Sequence, residues 1–246
     1  MPFGELSVRL VPGLEAPTGT YVHTSLDAYE QTLSVTPDGQ ALGVASSGSP
    51  LYLQTLTRTN VAGEVTLSRA LSANSSSEDD GVTYDAGFAV AQAEDQGFFV
   101  LGETNSFGLP HGQSLWAIRT DQDGRLLWQR KLPGLDRGTD SIPNVLAGSD
   151  GFFFGAFNRA NGGPVVGKLS LNGDVAWLAS LPARSCDPCD IRIAMLPNGD
   201  LVAAGTGWTG QEQTPWLARV NGTGSILWMR GFAFSNWSFN DIDVLP

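Results

Sequence analysis

An all-β fold made of repeated four-stranded units is what this sequence predicts, and three observations predict it. One short pattern recurs five times, at residues 20–26 (TYVHTSL), 65–71 (VTLSRAL), 126–132 (LLWQRKL), 175–181 (VAWLASL) and 226–232 (ILWMRGF). Trp128, Trp177 and Trp228 hold the same place in the last three copies, 49 residues (128 to 177) and 51 residues (177 to 228) apart. Glycine-bearing turns recur between the apolar segments of every unit. A strand-like repeat with a period near ~50 residues marks a β-propeller or a β-array. The expected architecture is a β-propeller of four-stranded blades with about five blades, four complete and one shared by the termini, or a fragment of a larger ring.

Each unit reads in the same order. A short apolar strand leads to a turn, at Asp38-Gly39, Asp95-Gln96-Gly97, Asp150-Gly151 and Asn198-Gly199. Such dipeptides supply the positive-φ positions of two-residue hairpins. A second strand follows, at 41–47, 97–104, 151–157 and 201–208, with a glycine in each (Gly43, Gly102, Gly155, Gly205). Glycine inside a strand marks close approach of another backbone, as expected near a propeller axis. The third strands are 51–58, 114–121, 165–171 and 215–221, and turns at Gly63, Asp123-Gly124, Asn172-Gly173 and Gly222/Gly224 lead into the outer strands. Residues 72–82, rich in Ser and Asp, read as a surface loop. No segment carries a helical period. The complete blades are placed at about 27–71, 83–132, 140–181 and 190–232.

The ends supply the shared blade. Residues 5–9 (ELSVR) resemble the third strands, with Arg9 where Arg119, Lys168 and Arg219 stand, so residues 1–26 are a partial blade. Residues 241–246 (DIDVLP) match 191–197 (IRIAMLP), so 239–246 supply the inner strand. That blade lacks a second strand. It has three strands, or the chain is a piece of a larger ring with two bare sheet edges. The recurring tryptophans are expected to fill the wedge between neighbouring blades.

Composition narrows the partners. The chain has 246 residues, 41% hydrophobic, with 25 acidic residues against 14 basic ones and a net charge of −11. Phosphate backbones demand clustered Lys and Arg, so nucleic acid is excluded as a partner. An anionic membrane surface is disfavoured by the same repulsion. No apolar run approaches the ~18 residues of a membrane span. The opening MPFGELSVRL shows no basic segment followed by an apolar one, so no secretory signal is visible. All-β chains of this size are commonly one domain.

The second unit, residues 83–134, carries a family resemblance in its D-x-G turn before an apolar strand, its TNSFG loop, its W-x-x-R strand and its DG-x-LLW outer strand. It resembles the repeat of secreted bacterial and archaeal surface propellers, related to quinoprotein-like (PQQ-type) propeller repeats. The third and fourth units match through NGDVAW and GTGSILW, whereas the first has Leu67 in place of tryptophan. The resemblance implies a binding or scaffold module of the cell envelope or extracellular space, often within a longer protein. A fold shared so widely does not assign an activity.

Four groups of residues are candidates for chemistry. Cys186 and Cys189, spaced C-x-x-C, lack the βαβ setting of a redox pair and the four ligands of a zinc site. A local disulfide is the leading reading, with two free thiols as the competing one; a disulfide implies an oxidising compartment and an export signal outside the present chain. Glu30, Asp85, Asp140, Asp190 and Asp241 each stand before an inner strand, where a propeller would gather them at the channel mouth. There they would hold calcium or a cationic ligand, or else cap local backbone and pair between blades. The loops 104–113, 158–164 and 208–214 vary while the strands repeat, as recognition loops do. Within them Phe107, His111 and Trp208 are the expected contacts for a protein or glycan. Residues 77–84 (SEDDGVTY) carry a single Asp-box-like pattern in a Ser/Asp-rich loop, a chance match. A non-catalytic binding module is the function expected, with a quinoprotein-like oxidoreductase or a glycoside-hydrolase-like propeller as the alternatives.

Overall fold

The computed structural model of the chain describes residues 29–36, 38–46, 54–72, 85–105, 114–136, 144–158, 160, 162–182, 191–209, 212–232 and 242. Among them are seventeen strands and no helix. The first sheet holds β1 (Tyr29–Val35), β2 (Ala41–Ser46), β3 (Gln54–Thr59) and β4 (Val65–Leu71). The second holds β5 (Asp85–Gln92), β6 (Phe98–Thr104), β7 (Ser114–Thr120) and β8 (Leu126–Leu132). The third holds β9 (Leu135–Asp136), β10 (Val145–Gly148), β11 (Gly151–Asn158), β12 (Pro164–Ser170) and β13 (Val175–Ser180). The fourth holds β14 (Ile191–Met195), β15 (Leu201–Thr209), β16 (Glu212–Val220) and β17 (Ile226–Gly231). Each sheet is an antiparallel meander in chain order. Only β9 departs from the repeat: it pairs with Phe157 and Asn158 and so extends the inner edge of β11 beyond the reach of β10.

The sheets stack in chain order, and each junction has its own apolar layer. Leu42, Val44, Leu56 and Leu67 meet Val90, Phe98, Trp116 and Ile118 between the first and second sheets. Phe99, Leu101 and Leu115 meet Phe152, Phe154 and Val165 between the second and third. Phe153, Phe157 and Val166 meet Ile191, Ile193, Ala203 and Trp216 between the third and fourth. The side-chain period of two explains this division. Phe98 and Phe99 face opposite neighbours, as do Phe152 and Phe153. Strands buried on both faces must be apolar throughout, and β6 and β7 are buried at every residue. The outer strand β17 is mostly exposed and β8 partly so, in contrast to the fully buried β6 and β7.

The turns differ from the sequence expectation. Of the eight turns that join first to second or third to outer strands, seven have three central residues, not two. In each, the first residue's N–H bonds the carbonyl four residues on, and the fourth residue's N–H bonds back to the first, as at Asn60 N to Glu64 O and Gly63 N to Asn60 O, both 2.9 Å. The fourth position has positive φ (Gly39, Gly63, Gly124, Gly173, Gly199, Gly224), which closes a type I turn with a bulge. Gln96 occupies that position in the second sheet, with φ of 67°, and Gly97 does not. The eighth, between β10 and β11, is a two-residue connection closed by Gly148 and Gly151. Asn60, Asp121 and Asn221 hold their turns by accepting backbone N–H groups, Asp121 Oδ1 from Asp123 and Arg125 at 2.9 and 2.8 Å.

The tryptophans also divide into two kinds. Trp116 and Trp216 are fully buried and face the preceding sheet. Trp128 and Trp177 are half-buried and reach across the rim onto the following sheet. They seal the edge of each wedge rather than fill its centre.

Candidate functional site

The two ends of the stack are built differently. At one end lie the turns that join first to second and third to outer strands, and in the last three sheets a cation of the third strand pairs with a carboxylate of the first of these turns. Arg119 pairs with Asp95 (Nη2 to Oδ2, 2.6 Å), Lys168 with Asp150 (2.5 Å) and Arg219 with Asp200 (2.5 and 2.8 Å). Partial burial pushes the Asp95 carboxyl up, but the Gly97 amide and the Arg119 guanidinium outweigh it and hold it below the usual carboxylate range. Asn198, then Arg219, hold Asp200 low in the same way. The amide of Arg125 does so for Asp121, and the Thr36 hydroxyl and Gln40 amide for Asp38. The carboxylates of Asp95, Asp121, Asp150 and Asp200 are each engaged within their own turn or sheet, which makes this end a structural rim.

The opposite end carries the connections between second and third strands and the crossovers between sheets. Under it lies a buried polar floor spanning the first two sheets. Asp85 opens β5 at 1% exposure and accepts a hydrogen bond of 2.6 Å from Thr104 Oγ1 and one of 3.4 Å from Ser72 Oγ. Thr104 is the cross-strand partner of both Asp85 and Ser114, so the three share one face of the second sheet. Glu103, buried beside Thr104, projects to the other face, as the strand period requires. Gln54 opens β3 at 0% exposure, and among the described residues neither end of its amide has a hydrogen-bond partner. The amide fits because Gly87 and Gly102, paired across β5 and β6, have no side chains; a Cβ at Gly87 would stand 2.5 Å from Gln54 Cδ. Between the third and fourth sheets, Asn144 is a side-chain clip. Its amide donates to Ile193 O and accepts from Ile193 N, both at 2.8 Å.

This floor answers part of the sequence reading. Asp85 does not precede the inner strand but belongs to it, and its carboxylate is engaged by hydroxyls. Glu30 lies within β1, at the irregularity between the pairs Tyr29–Ser46 and Gln31–Ala45. Trp208 lies in β15, paired with Gln213, so most of the segment expected as a loop at 208–214 is strand; only 210–211 connect β15 to β16. The β-forming run around Thr206, Trp208 and Thr214 favours the longer ladder. The 158–164 connection is closed by Asn158, whose N–H bonds Gly163 O at 2.8 Å and whose Oδ1 accepts the Ala160 N–H at 2.9 Å. Phe107, His111, Asp140, Asp190, Asp241, Cys186 and Cys189 lie outside the described residues. No cluster of three metal-ligating side chains occurs among the described residues. Sequence reasoning missed Gln54, Thr104 and Asn144. The cross-strand pairing of Gly87 with Gly102 was the available sign for Gln54, but only the register reveals it.

No family model matches the chain, and no curated protein does. Among solved structures it is similar to an ulvan lyase described as a new family of polysaccharide lyase. In the saccharide-bound form the TM-score is 0.52 at 8% identity over 81% of this chain and 56% of that one. In a second structure the TM-score is 0.51 at 7% identity over the same shares. The chain thus spans little more than half the length of these neighbours. A glycosyl hydrolase from Bacteroides ovatus also aligns, at a TM-score of 0.40 and 10% identity over 83% of this chain and 70% of that one. At such identities the likeness is one of all-β fold. No helix among the described residues is long and apolar enough to cross a membrane.

Proposed function

We propose that the chain is a non-catalytic β-propeller module, its ring completed as a fifth blade by the two termini, that holds a glycan at the crossover end of its sheets. The observation that carries this reading is the asymmetry of the two ends. Seven turns of one hydrogen-bonded form occupy one end, while a buried polar floor of Gln54, Asp85 and Thr104 lies at the other, where the connecting segments differ in length and sequence. Recognition resides where a rigid scaffold presents variable loops. The fold shared with an ulvan lyase supports a saccharide over a protein partner. The net charge of −11 opposes a polyanion, so a neutral oligosaccharide is the ligand class favoured. The resemblance to secreted quinoprotein-like repeats supports an extracellular or envelope setting.

Hydrolysis by paired carboxylates requires two of them facing one pocket. Asp85 and Glu103 project from opposite faces of the second sheet, so they do not form such a pair. Calcium at the channel mouth would draw on Asp85, which already accepts from Thr104 and Ser72. A neutral-glycan array, run beside chromogenic glycosides, tests the reading. Binding without turnover, weakened at least ~10-fold in Phe107→Ala or His111→Ala with an unchanged melting temperature, supports it. Turnover, or an array with no hit, overturns it.

A further inference from the structure

The junction between the first and second sheets is underfilled at its rim. At the two later junctions an indole of the outer strand lies over the next sheet's last turn. The Trp128 ring would stand 2.9 Å from a Cβ on Gly173, and the Trp177 ring 2.7 Å from one on Gly224. The first junction has Leu67 in that row, opposite Arg58 as Trp128 is opposite Arg119. Its Cδ1 would stand 3.6 Å from a Cβ on Gly124. A groove of about 270 Å³ remains, running from Gly124 and Leu126 to Leu71 and Ser72, with Trp116 and Ile118 as its base.

The base of the groove is bordered by a polar group that the other sheets lack. Gln129, Leu178 and Met229 hold the same register position, opposite Ile118, Gly167 and Ala218. Directly opposed side chains of an antiparallel pair share a face, so all three turn toward the preceding sheet. Leu178 closes that place by covering Gly167, where a Cβ would stand 2.8 Å from it, and Met229 packs against the core around Trp216. Only beside the groove is this residue an amide. Gln129 Oε1 accepts the Trp116 indole N–H at 3.1 Å, which leaves the two Nε2 hydrogens as donors. Burial of Trp116 does not demand that bond. Trp216 is buried in the equivalent place, and its indole N–H has no partner among the described residues. A cation stands at the turn end of the groove. Arg69 Cγ lies 2.6 Å from the place of a Gly124 Cβ, and its Nε–H donates to Asp123 O at 3.1 Å.

We propose that this groove binds a small planar aromatic carboxylate, its ring between Leu71 and the Trp116–Ile118 base and its carboxylate on Arg69 and the Gln129 amide. Size selects a ring. An apolar cavity of ~150 Å³ holds benzene, and pockets for drug-sized ligands begin at about 300 Å³. The groove falls between the two and suits a bicyclic ring with a short acid arm. Charge selects the acid. None of the described residues lining the groove is charged, so Arg69 at its end meets no carboxylate from the lining, and guanidinium–carboxylate pairs are the strong kind of hydrogen bond. The indoles over Gly173 and Gly224 show that such a ring fits this scaffold. This inference concerns the rim between two sheets and stands whatever the crossover end holds.

Titration calorimetry of the full chain with indole-3-acetate tests it, with indole-3-acetamide as the uncharged control. One acetate is expected to bind per chain. Arg69→Met and Gln129→Met should each weaken it at least ~10-fold. Arg69→Lys should weaken it less than Arg69→Met, and Arg69→Met should leave the acetamide unchanged. No binding of the acetate overturns the proposal, and so does equal affinity in the unaltered protein and both methionine variants. Should Arg69→Met fail to fold, nuclear Overhauser contacts in the unaltered protein decide the matter. Contacts from the bound ring to the methyl groups of Ile118 and Leu126 are expected, and a bound ring without them overturns the proposal.

Discussion

Trp128 donates its indole N–H to the carbonyl of Leu171, 2.8 Å away in the last turn of the next sheet. The two are 43 residues apart in sequence and belong to different four-stranded units. The contact explains why a bulky ring recurs on strands that are otherwise exposed. The outer strand offers only its rim to the neighbour, and the indole spans the rim with an apolar face and one donor. Trp177 repeats the arrangement one sheet later, on Gly222.

Truncating this contact has a measurable cost. Full burial of a tryptophan corresponds to about 3–5 kcal/mol on removal. Trp128 is half-buried, so Trp128→Ala should cost about 2 kcal/mol, and Trp128→Phe about 1 kcal/mol through the lost hydrogen bond. Gly173→Val should match or exceed the alanine variant, since φ is +85° and the indole leaves no room for a side chain. Urea denaturation of the three variants checks the order.

Gln54 predicts a gain. Both ends of its amide are buried without a partner among the described residues, and such groups cost about 1–3 kcal/mol each. Gln54→Leu keeps a similar volume, removes both polar atoms, and should raise stability by about 1 kcal/mol. A loss in the same denaturation assay would show that the amide holds a partner at the crossover end.

Gln96 holds the turn position that six other hairpins give to glycine. The left-handed region costs a residue bearing Cβ about 1–2 kcal/mol, offset in part by the greater chain entropy of glycine. Gln96→Gly should raise stability by about 0.5–1 kcal/mol. Thermal melting reads the effect directly.

Acid should loosen the turn end first. Asp38, Asp95, Asp121 and Asp200 all titrate below the usual carboxylate range in the folded chain. A carboxyl whose folded pKa is depressed adds stability above its unfolded pKa, near ~3.9. That contribution is lost as pH falls through the folded value. Stability from these groups is therefore flat from neutral pH down to about 5 and declines below about 4. Asp200→Asn should flatten the decline, and denaturation midpoints measured between pH 7 and pH 2.5 test it.

The repeating pattern carried a great deal in advance. Outer strands β4 and β8 fall where the repeat sets them, and the second and third strands agree within a few residues, because the period of two and the intervening glycines are local properties of the chain. The turns were legible in place but not in kind. Asp95-Gln96-Gly97 suggested Gly97 as the positive-φ residue, and the hydrogen-bond closure from Ala93 assigns that conformation to Gln96. The segment at 208–214 read as a loop because it varies between the repeats, but pairing across β15 and β16 makes most of it strand.

By itself the sequence determined that the chain forms successive four-stranded units, since each strand, turn and outer indole is specified within about fifty residues of chain. Only the tertiary structure decided which residues meet between units. Asn144 clips Ile193, Gln54 lies against Gly87 and Gly102, and Trp128 covers Gly173 through contacts between separate sheets. The physical reason is that a strand's pattern fixes which face a side chain occupies, while the partner on that face is fixed by the stacking of a different unit, which no local signal encodes.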